Sequence, residues 1–326
     1  LHANIHPSKI VFSGVGKTTE EIKLAINNDI KQINAESYPE IENIIDIAKS
    51  LKKVAPVAIR VNPNIRVKTH EKIATGSNDT KFGLPIDEAV KLYKKISKEK
   101  FIDTMGIAIH IGSQIFDMKE FKLAYENILS TANLLREEGL SVPNLDLGGG
   151  LGVNYQNASI SFKEYGRTIK DVFKNYDYNL SIEPGRSLVA NSGILITKII
   201  YLKKTESKNF LIVDGAMNDF IRPTLYNASH NIEPLLMSSE KIQKYDIVGP
   251  ICETGDYFAK DLELNPPKEG QYLAIFSTGA YGSVMSSSYN SRPPAGEVLV
   301  YKGKIHQLRK QETIDYQIQK EILPSF

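Results

Sequence analysis

Cysteine is almost absent from this 326-residue chain, where Cys252 stands alone. One thiol excludes an internal disulfide framework and points to a reducing compartment. Tryptophan is missing altogether, and the apolar runs, such as residues 105–109 and 193–196, fall far short of the ~20 residues that span a bilayer. Neither sign of charge is in excess, with 40 Lys+Arg against 38 Asp+Glu and no basic block. A nucleic-acid-binding face is therefore not expected. The opening residues do not read as a signal peptide, so a cytoplasmic protein is expected. What remains is an ordinary globular mix, 41% hydrophobic and 24% charged, which excludes wholesale disorder. The length is about twice the ~150 residues of an average domain, which predicts one large unit and a smaller companion.

Apolar, β-branched runs predict buried strands at residues 10–13, 30–35, 57–62, 105–111, 145–147 and 180–182. Helical periodicity fills the gaps. Ile41, Ile44, Ile45, Ala48 and Leu51 share one helix face that Ser37 and Glu40 can open as a capping box. Phe121, Tyr125, Ile128, Ala132 and Leu135 share another, with Asp117 at its start and Gly139 at its end. Such alternation means parallel strands with helical crossovers. Polar and glycine-rich signals follow several different strands, as at the rim of a β/α barrel, rather than one switch point. The fold expected is therefore α/β: an incomplete (β/α)8 barrel with six of its eight strands visible, plus a C-terminal β-rich domain. The expected boundaries are 1–191 and 192–326. The opening LHANIHPSK reads as the tail of a helix, and the first two βα units of the barrel are expected to lie outside this sequence. Beyond residue 191, strand-like runs at 194–202, 210–213, 246–248, 272–276 and 298–301 alternate with turns.

Three constellations sit at barrel strand ends. His110-Ile-Gly-Ser113 offers a ring to stack on a flat ligand and a hydroxyl to meet a phosphate. Taken alone, it also reads as a satisfied rim histidine. Gly148-Gly149-Gly150 removes every Cβ, so backbone N–H groups can approach an anion, although a tight turn needs glycine as well. Glu183-Pro184-Gly185-Arg186 places a carboxylate at the barrel mouth, where burial demands a cation. Arg186 is one candidate partner; a protonated heterocycle nitrogen is the other, leaving Arg186 to grip a carboxylate or phosphate. Together they favour a phosphorylated ring cofactor. Farther on come Arg222-Pro-Thr-Leu-Tyr226, then Cys252-Glu253 in a polar loop, then Gly279-Ala-Tyr281-Gly282. A lone cysteine is more often a buried hydrophobe, but this one lies among polar residues, and an ordinary thiol is protonated enough at neutral pH to donate a proton. Lys81-Phe-Gly83 lies in a long loop after the third predicted strand, a length often functional at a barrel rim.

HIGSQ, LDLGGGLG, EPGR, RPTLYNASH, GPICETGD and GAYG, in that order, resemble the pyridoxal-phosphate decarboxylases with an alanine-racemase-like barrel. VFSGVGKT, VNPNIRVKTHEKIATG and TKFG narrow the resemblance to the diaminopimelate decarboxylases, over essentially the whole chain. The resemblance implies pyridoxal 5'-phosphate and no metal. In its terms His110 stacks on the pyridine ring, and Ser113 lies near the phosphate. Gly149, Gly150 and the Pro184–Gly185–Arg186 backbone hold that phosphate, and Tyr281 closes over cofactor and substrate. Glu183 keeps the pyridine nitrogen protonated. Arg186, Arg222 and Tyr226 bind substrate carboxylates. Cys252, as proton donor, and Glu253, facing the distal ammonium, reach across a homodimer interface into the neighbouring site. The reaction implied is meso-2,6-diaminopimelate to L-lysine and CO2, with no nucleic-acid or membrane partner. The family's Schiff-base lysine stands in a Tyr-Ala-x-Lys-Ala-Asn-like string on the first barrel strand. No such string occurs here, so this chain alone is expected to be a poor catalyst. Two other readings are a decarboxylase of another basic amino acid, against which CETGD and THEKIATG argue, and a catalytically inactive remnant that binds a partner.

Overall fold

The computed structural model describes residues 1–65, 80–155, 161–236 and 238–325. The chain divides into two compact units, Leu1–Gly152 with Ile160–Gly185, and Val153–Ser159 with Arg186–Phe326. Among the described residues no helix is long and apolar enough to cross a membrane.

In the first unit, strands β1 (Val11–Phe12), β2 (Gln32–Ala35), β3 (Ala55–Asn62), β4 (Leu84–Pro85), β5 (Ile102–Ile109), β6 (Asn144–Asp146) and β7 (Asn179–Ser181) interleave with helices. These are α1 (Thr19–Asn27), α2 (Tyr38–Leu51), α3 (Ile86–Ile96), α4 (Met118–Glu137) and α5 (Phe162–Phe173). Every pairing is parallel, in the order β1-β2-β3-β5-β6-β7 with the short β4 beside β3. Sequential order is that of a barrel wall; a doubly wound sheet reverses direction at a switch point. All six strands expected from the sequence are present. The opening is different: residues 1–6 form no α-helix and Pro7–Lys9 form a single 3-10 turn, because the proline holds His6 before it in extended backbone.

The wall has two faces because strand side chains alternate. Ile33, Ala35, Val57, Ile59, Val61, Ile107, Ile109, Leu145 and Leu147 pack outward onto Ile41 and Ile44 of α2, Leu92 and Tyr93 of α3, and Phe121 and Tyr125 of α4. Each fully buried aliphatic side chain there contributes about 1.5–3 kcal/mol. Of the intervening positions, Gln32, Asn34, Arg60, Asn62 and Asp146 are polar yet buried, beside the small Ala58 and Ala108. A buried polar face is costly unless its groups find partners, and this face carries the site. Helix α2 shows one such diversion. Ser37 caps it by accepting the Glu40 N–H at 3.3 Å, but the Glu40 carboxylate does not complete the capping box. It accepts instead from the Glu36 N–H and from Lys17 Nζ, each at 2.7 Å.

From Arg186 onward the second unit holds the short helix α6 (Arg186–Val189), β8 (Ile194–Lys204), β9 (Asn209–Val213), helix α7 (Arg222–Tyr226), β10 (Ile232–Pro234), β11 (Gln243–Val248), β12 (Tyr257–Leu264) and β13 (Tyr272–Phe276). The strands form one mixed sheet in the order β10-β13-β8-β9-β11-β12, around a core that includes Ile199, Leu211, Phe220, Tyr245 and Ile247. Strands β14 (Glu297–Tyr301) and β15 (Lys304–Arg309) form a separate hairpin with exposed residues throughout, followed by α8 (Ile314–Ile318).

Candidate active site

A cavity of about 300 Å³ opens on the polar face of the first unit, lined in part by Ser13, Arg60, Phe82, His110 and Glu183. Three loops that follow β5, β6 and β7 meet there. Gly149 donates its backbone N–H to His110 Nδ1 at 3.1 Å, and Glu183 donates its backbone N–H to the Gly148 carbonyl at 2.8 Å. The Gly150 carbonyl accepts from the Ile115 N–H at 3.0 Å. A Cβ on Gly148, Gly149 or Gly150 would collide with the carbonyl oxygens of Ile109, Glu183 and Gly112 respectively. Gly148 and Gly150 also hold positive φ, +66° and +101°, where a side chain is strained. The triple glycine is therefore the stitch that joins the HIGSQ and EPGR loops.

Burial, helped by the Arg60 charge, lowers the His110 imidazole to about 4. The ring is neutral at physiological pH, and because Nδ1 accepts from Gly149, its proton sits on Nε2. Glu183 moves the other way: burial and the neighbouring Asp146 carboxyl raise it, against the Ser13 hydroxyl that donates to Oε1 at 2.8 Å. The sequence predicted an ionised Glu183 in need of a cation. Within this unit burial and the Asp146 charge both favour its protonated form. Arg60 is occupied by a buried ion pair with Glu36 at 2.8 Å, and its guanidinium lies 4.9 Å from the centre of the Phe82 ring. Gly83 donates its N–H to Glu36 at 3.1 Å, and Asn62 holds the Phe82 carbonyl at 3.1 Å. The Lys81–Gly83 segment is thus pinned to the cavity wall.

In the second unit two arginines are buried close together. Arg186 donates to the Tyr155 hydroxyl at 2.7 Å and lies 4.5 Å over the Tyr281 ring. Arg222 stands 4.5 Å over the Tyr155 ring and donates to His230 Nε2 at 2.7 Å, while His230 Nδ1 donates to the Phe276 carbonyl at 2.9 Å. Burial, with both arginines nearby, lowers His230 to about 4, so Arg222 has a neutral neighbour. Arg222 forms no ion pair among the described residues, and its buried Nε has no hydrogen-bond partner there. Burial also lowers the Arg222 pKa, the signature of a cation lacking an anion. Tyr226 lies four residues on, at the end of α7, and is half-buried. Tyr281 holds φ +56°, a left-handed conformation that a non-glycine residue adopts at a cost.

The loop after β11 is built around Asp256. Its buried carboxylate accepts the N–H groups of Met217 and Ile251, each at 2.7 Å. This turn leaves Cys252 exposed, and Glu253 exposed with its carboxylate accepting from the Tyr289 hydroxyl at 3.0 Å. The structure therefore brings His110, Gly149, Gly150 and Glu183 together in the first unit, with Ser113 half-buried in the same loop as His110 and Pro184–Gly185 continuing from Glu183. Arg186, Arg222 and Tyr281 gather in the second, with Cys252 and Glu253 on a separate loop. THEKIATG, residues 69–76, lies outside the described residues. Sequence reasoning missed Ser13, Asn34, Arg60 and Asp146. Their signal was a polar residue at alternate positions of otherwise apolar strands.

The family model described as "Pyridoxal-dependent decarboxylase, pyridoxal binding domain" matches residues 1–190. The chain is 46% identical over 318 residues to the diaminopimelate decarboxylase of Zymomonas mobilis, covering 97% of this chain and 75% of that protein. It is 44% identical over 322 residues to that of Aquifex aeolicus, covering 98% and 77%. Among solved structures, the diaminopimelate decarboxylase from Helicobacter pylori complexed with L-lysine superimposes with a TM-score of 0.94 at 41% identity, covering 98% of this chain and 80% of that one.

Proposed function

The chain belongs to the diaminopimelate decarboxylases, within the pyridoxal-dependent decarboxylase family, and on that premise we propose that, together with the Schiff-base lysine of the family, it converts meso-2,6-diaminopimelate to L-lysine and CO2. The observation that carries this reading is the cavity where a neutral, oriented His110 and the Glu183 carboxyl face one space. The residues present fit pyridoxal 5'-phosphate. A flat, uncharged imidazole can stack on a pyridine ring, and Glu183 can pair with a ring N–H. Gly185 supports the phosphate end: a Cβ there would meet no described atom within 4 Å, and its φ is not left-handed. Neither packing nor backbone geometry requires this glycine, which is consistent with close approach by a ligand. By contrast, the Gly149 N–H is engaged by His110, so its role toward the phosphate is to fix the neighbouring loop.

Bound there, the cofactor supplies an electron sink for the carbon that loses CO2. Glu183 keeps the ring nitrogen protonated. His110 holds the ring plane, with Gly149 fixing its own. Ser113 and the Gly150 and Pro184–Gly185–Arg186 backbone hold the phosphate. Arg222, a buried cation with an unmet Nε, is suited to a substrate carboxylate, together with Arg186 and Tyr226. A substrate with two carboxylates keeps one after decarboxylation, which favours diaminopimelate over basic amino acids that have only one. Tyr281 shields the site. The exposed Cys252 returns a proton to the substrate carbon, and Glu253 meets the distal ammonium. Both act in the neighbouring subunit of a homodimer, in the cytoplasm, where a lone exposed thiol stays reduced.

The test is a lysine-formation assay of Glu183→Gln in protein that also carries the family's Schiff-base lysine. Glutamine keeps the shape but loses the counter-charge, so turnover is expected to fall by ~10²-fold or more with cofactor absorbance retained. Unchanged turnover with cofactor bound would overturn the assignment.

A further inference from the structure

The polar face of the first unit contains a hydrogen-bond chain with a fixed direction. Gln32 Nε2 donates to Asn34 Oδ1 at 2.7 Å, which turns the Asn34 amide nitrogen the other way. That nitrogen donates to Asp146 Oδ2 and to Ser13 Oγ, each at 3.0 Å. Ser13, having accepted, donates onward to Glu183 Oε1 at 2.8 Å. Asp146 also accepts the Gly148 N–H at 3.0 Å and is 1% exposed. Asn34 and Ser13 thus link the Asp146 and Glu183 carboxyls, and the Asp146 charge disfavours a second charge on Glu183.

Burial raises both carboxyls and the Asp146 charge raises Glu183 further, so ionising both at once is disfavoured and the two titrate as a linked pair. Donor count decides where the proton sits. Asp146 receives two N–H donors and Glu183 one hydroxyl, so the charge is better held on Asp146. The surrounding charges are divided. Lys31, which donates to Ser181 Oγ at 3.1 Å, favours an ionised Asp146. Arg60 favours an ionised Glu183 but is paired with Glu36. His110 is neutral and adds no charge, and Tyr165 of α5 senses Asp146 from its own side.

We propose that Asp146 is a positioning residue for the reaction: held by Asn34 and Gly148, it keeps the charge of the pair, so that Glu183 carries a proton before the cofactor binds. This rests on the reading of Glu183 as partner of the ring nitrogen. When a neutral ring nitrogen arrives, the Glu183 O–H bond breaks and an N–H bond forms, leaving the carboxylate as its counter-ion. When the ring arrives already protonated, the Glu183 proton leaves to solvent. In either case the bound state is the same, and binding draws one proton fewer from solvent than it would with Glu183 ionised at the outset.

The experiment has two readouts on the cofactor-free chain. Infrared titration should show a protonated carboxyl at neutral pH that is lost in Glu183→Gln and also in Asp146→Asn, where Glu183 no longer faces a like charge. Calorimetry of pyridoxal 5'-phosphate binding, in buffers of different ionisation enthalpy, should show Asp146→Asn taking up about one proton more than the wild type. Absence of the wild-type band, or its survival in Glu183→Gln, overturns the proposal without touching the role of Glu183 in the bound state. Equal proton uptake overturns the transfer step. If Glu183→Gln then also turns over normally, the reading of Glu183 as ring partner has failed with it.

Discussion

His230 lies buried between the Arg222 guanidinium and the Phe276 carbonyl, and protonating it would set two cations side by side. Its folded pKa of about 4 lies below the ~6.5 of an unfolded histidine. Between those values the unfolded chain binds more protons, so stability rises with pH there and is lost as pH falls. The contribution is on the order of 3 kcal/mol at neutral pH. Glutamine can accept from Arg222 and donate to Phe276 without titrating. Urea unfolding of His230→Gln should therefore weaken less steeply than wild type from pH 6.5 down to 4; parallel curves would contradict the assignment. His110 acts in the same direction and keeps part of the slope in the variant. Some of this was legible from the residues: His110, Glu183 and Arg222 stood in motifs. His230 closed RPTLYNASH but had no evident partner, since Phe276 is far away in sequence. Ser13, Asn34 and Asp146 were hidden for another reason. Each is a common polar residue, and only the sheet brings the three together.

At the scale of elements, the triple-glycine turn makes the sharpest case. An alanine at 149 would drive its Cβ into the Glu183 carbonyl and displace the amide that holds His110. Gly149→Ala is expected to cost about 1–3 kcal/mol, the range for overpacking a tight site. It should also lower cofactor occupancy, checked by thermal unfolding and cofactor absorbance together. A stable variant with full occupancy would mean that the loops are not coupled. The barrel strands were readable because a wall covered by helices needs apolar residues at every second position, and those define each strand. In the second unit β12 was not read. Its Lys260 and Asp261 suggest a loop, yet Asp261 sits at an irregularity opposite β11 with φ +51° and donates its N–H to Asp246 at 2.8 Å. The bulge absorbs the charged residues without ending the strand. Strand β15 was missed because no buried face marks it.

For the whole molecule, the proposal that Cys252 serves the partner's site has a direct consequence. In protein that also carries the Schiff-base lysine, Cys252→Ala should keep cofactor and dimerisation but lose ~10²–10⁴ in lysine formation, the usual loss for one proton donor. Mixed with Glu183→Gln subunits, it should regain activity after subunit exchange, since one site per hybrid dimer then has both groups intact. Exchange without recovery would assign Cys252 to its own subunit. The exposed position of Cys252 and Glu253 on the Asp256-built loop accords with a role beyond their own unit.

The bond from Gly149 to His110 has one more effect, on inorganic chemistry. A neutral imidazole ligates a divalent cation through its unprotonated nitrogen, and here that lone pair already points at a backbone N–H. The opposite tautomer would face one N–H with another. Zinc or copper could therefore take this histidine only by breaking the glycine turn, and the same contact that orients the ring also protects it from chelation.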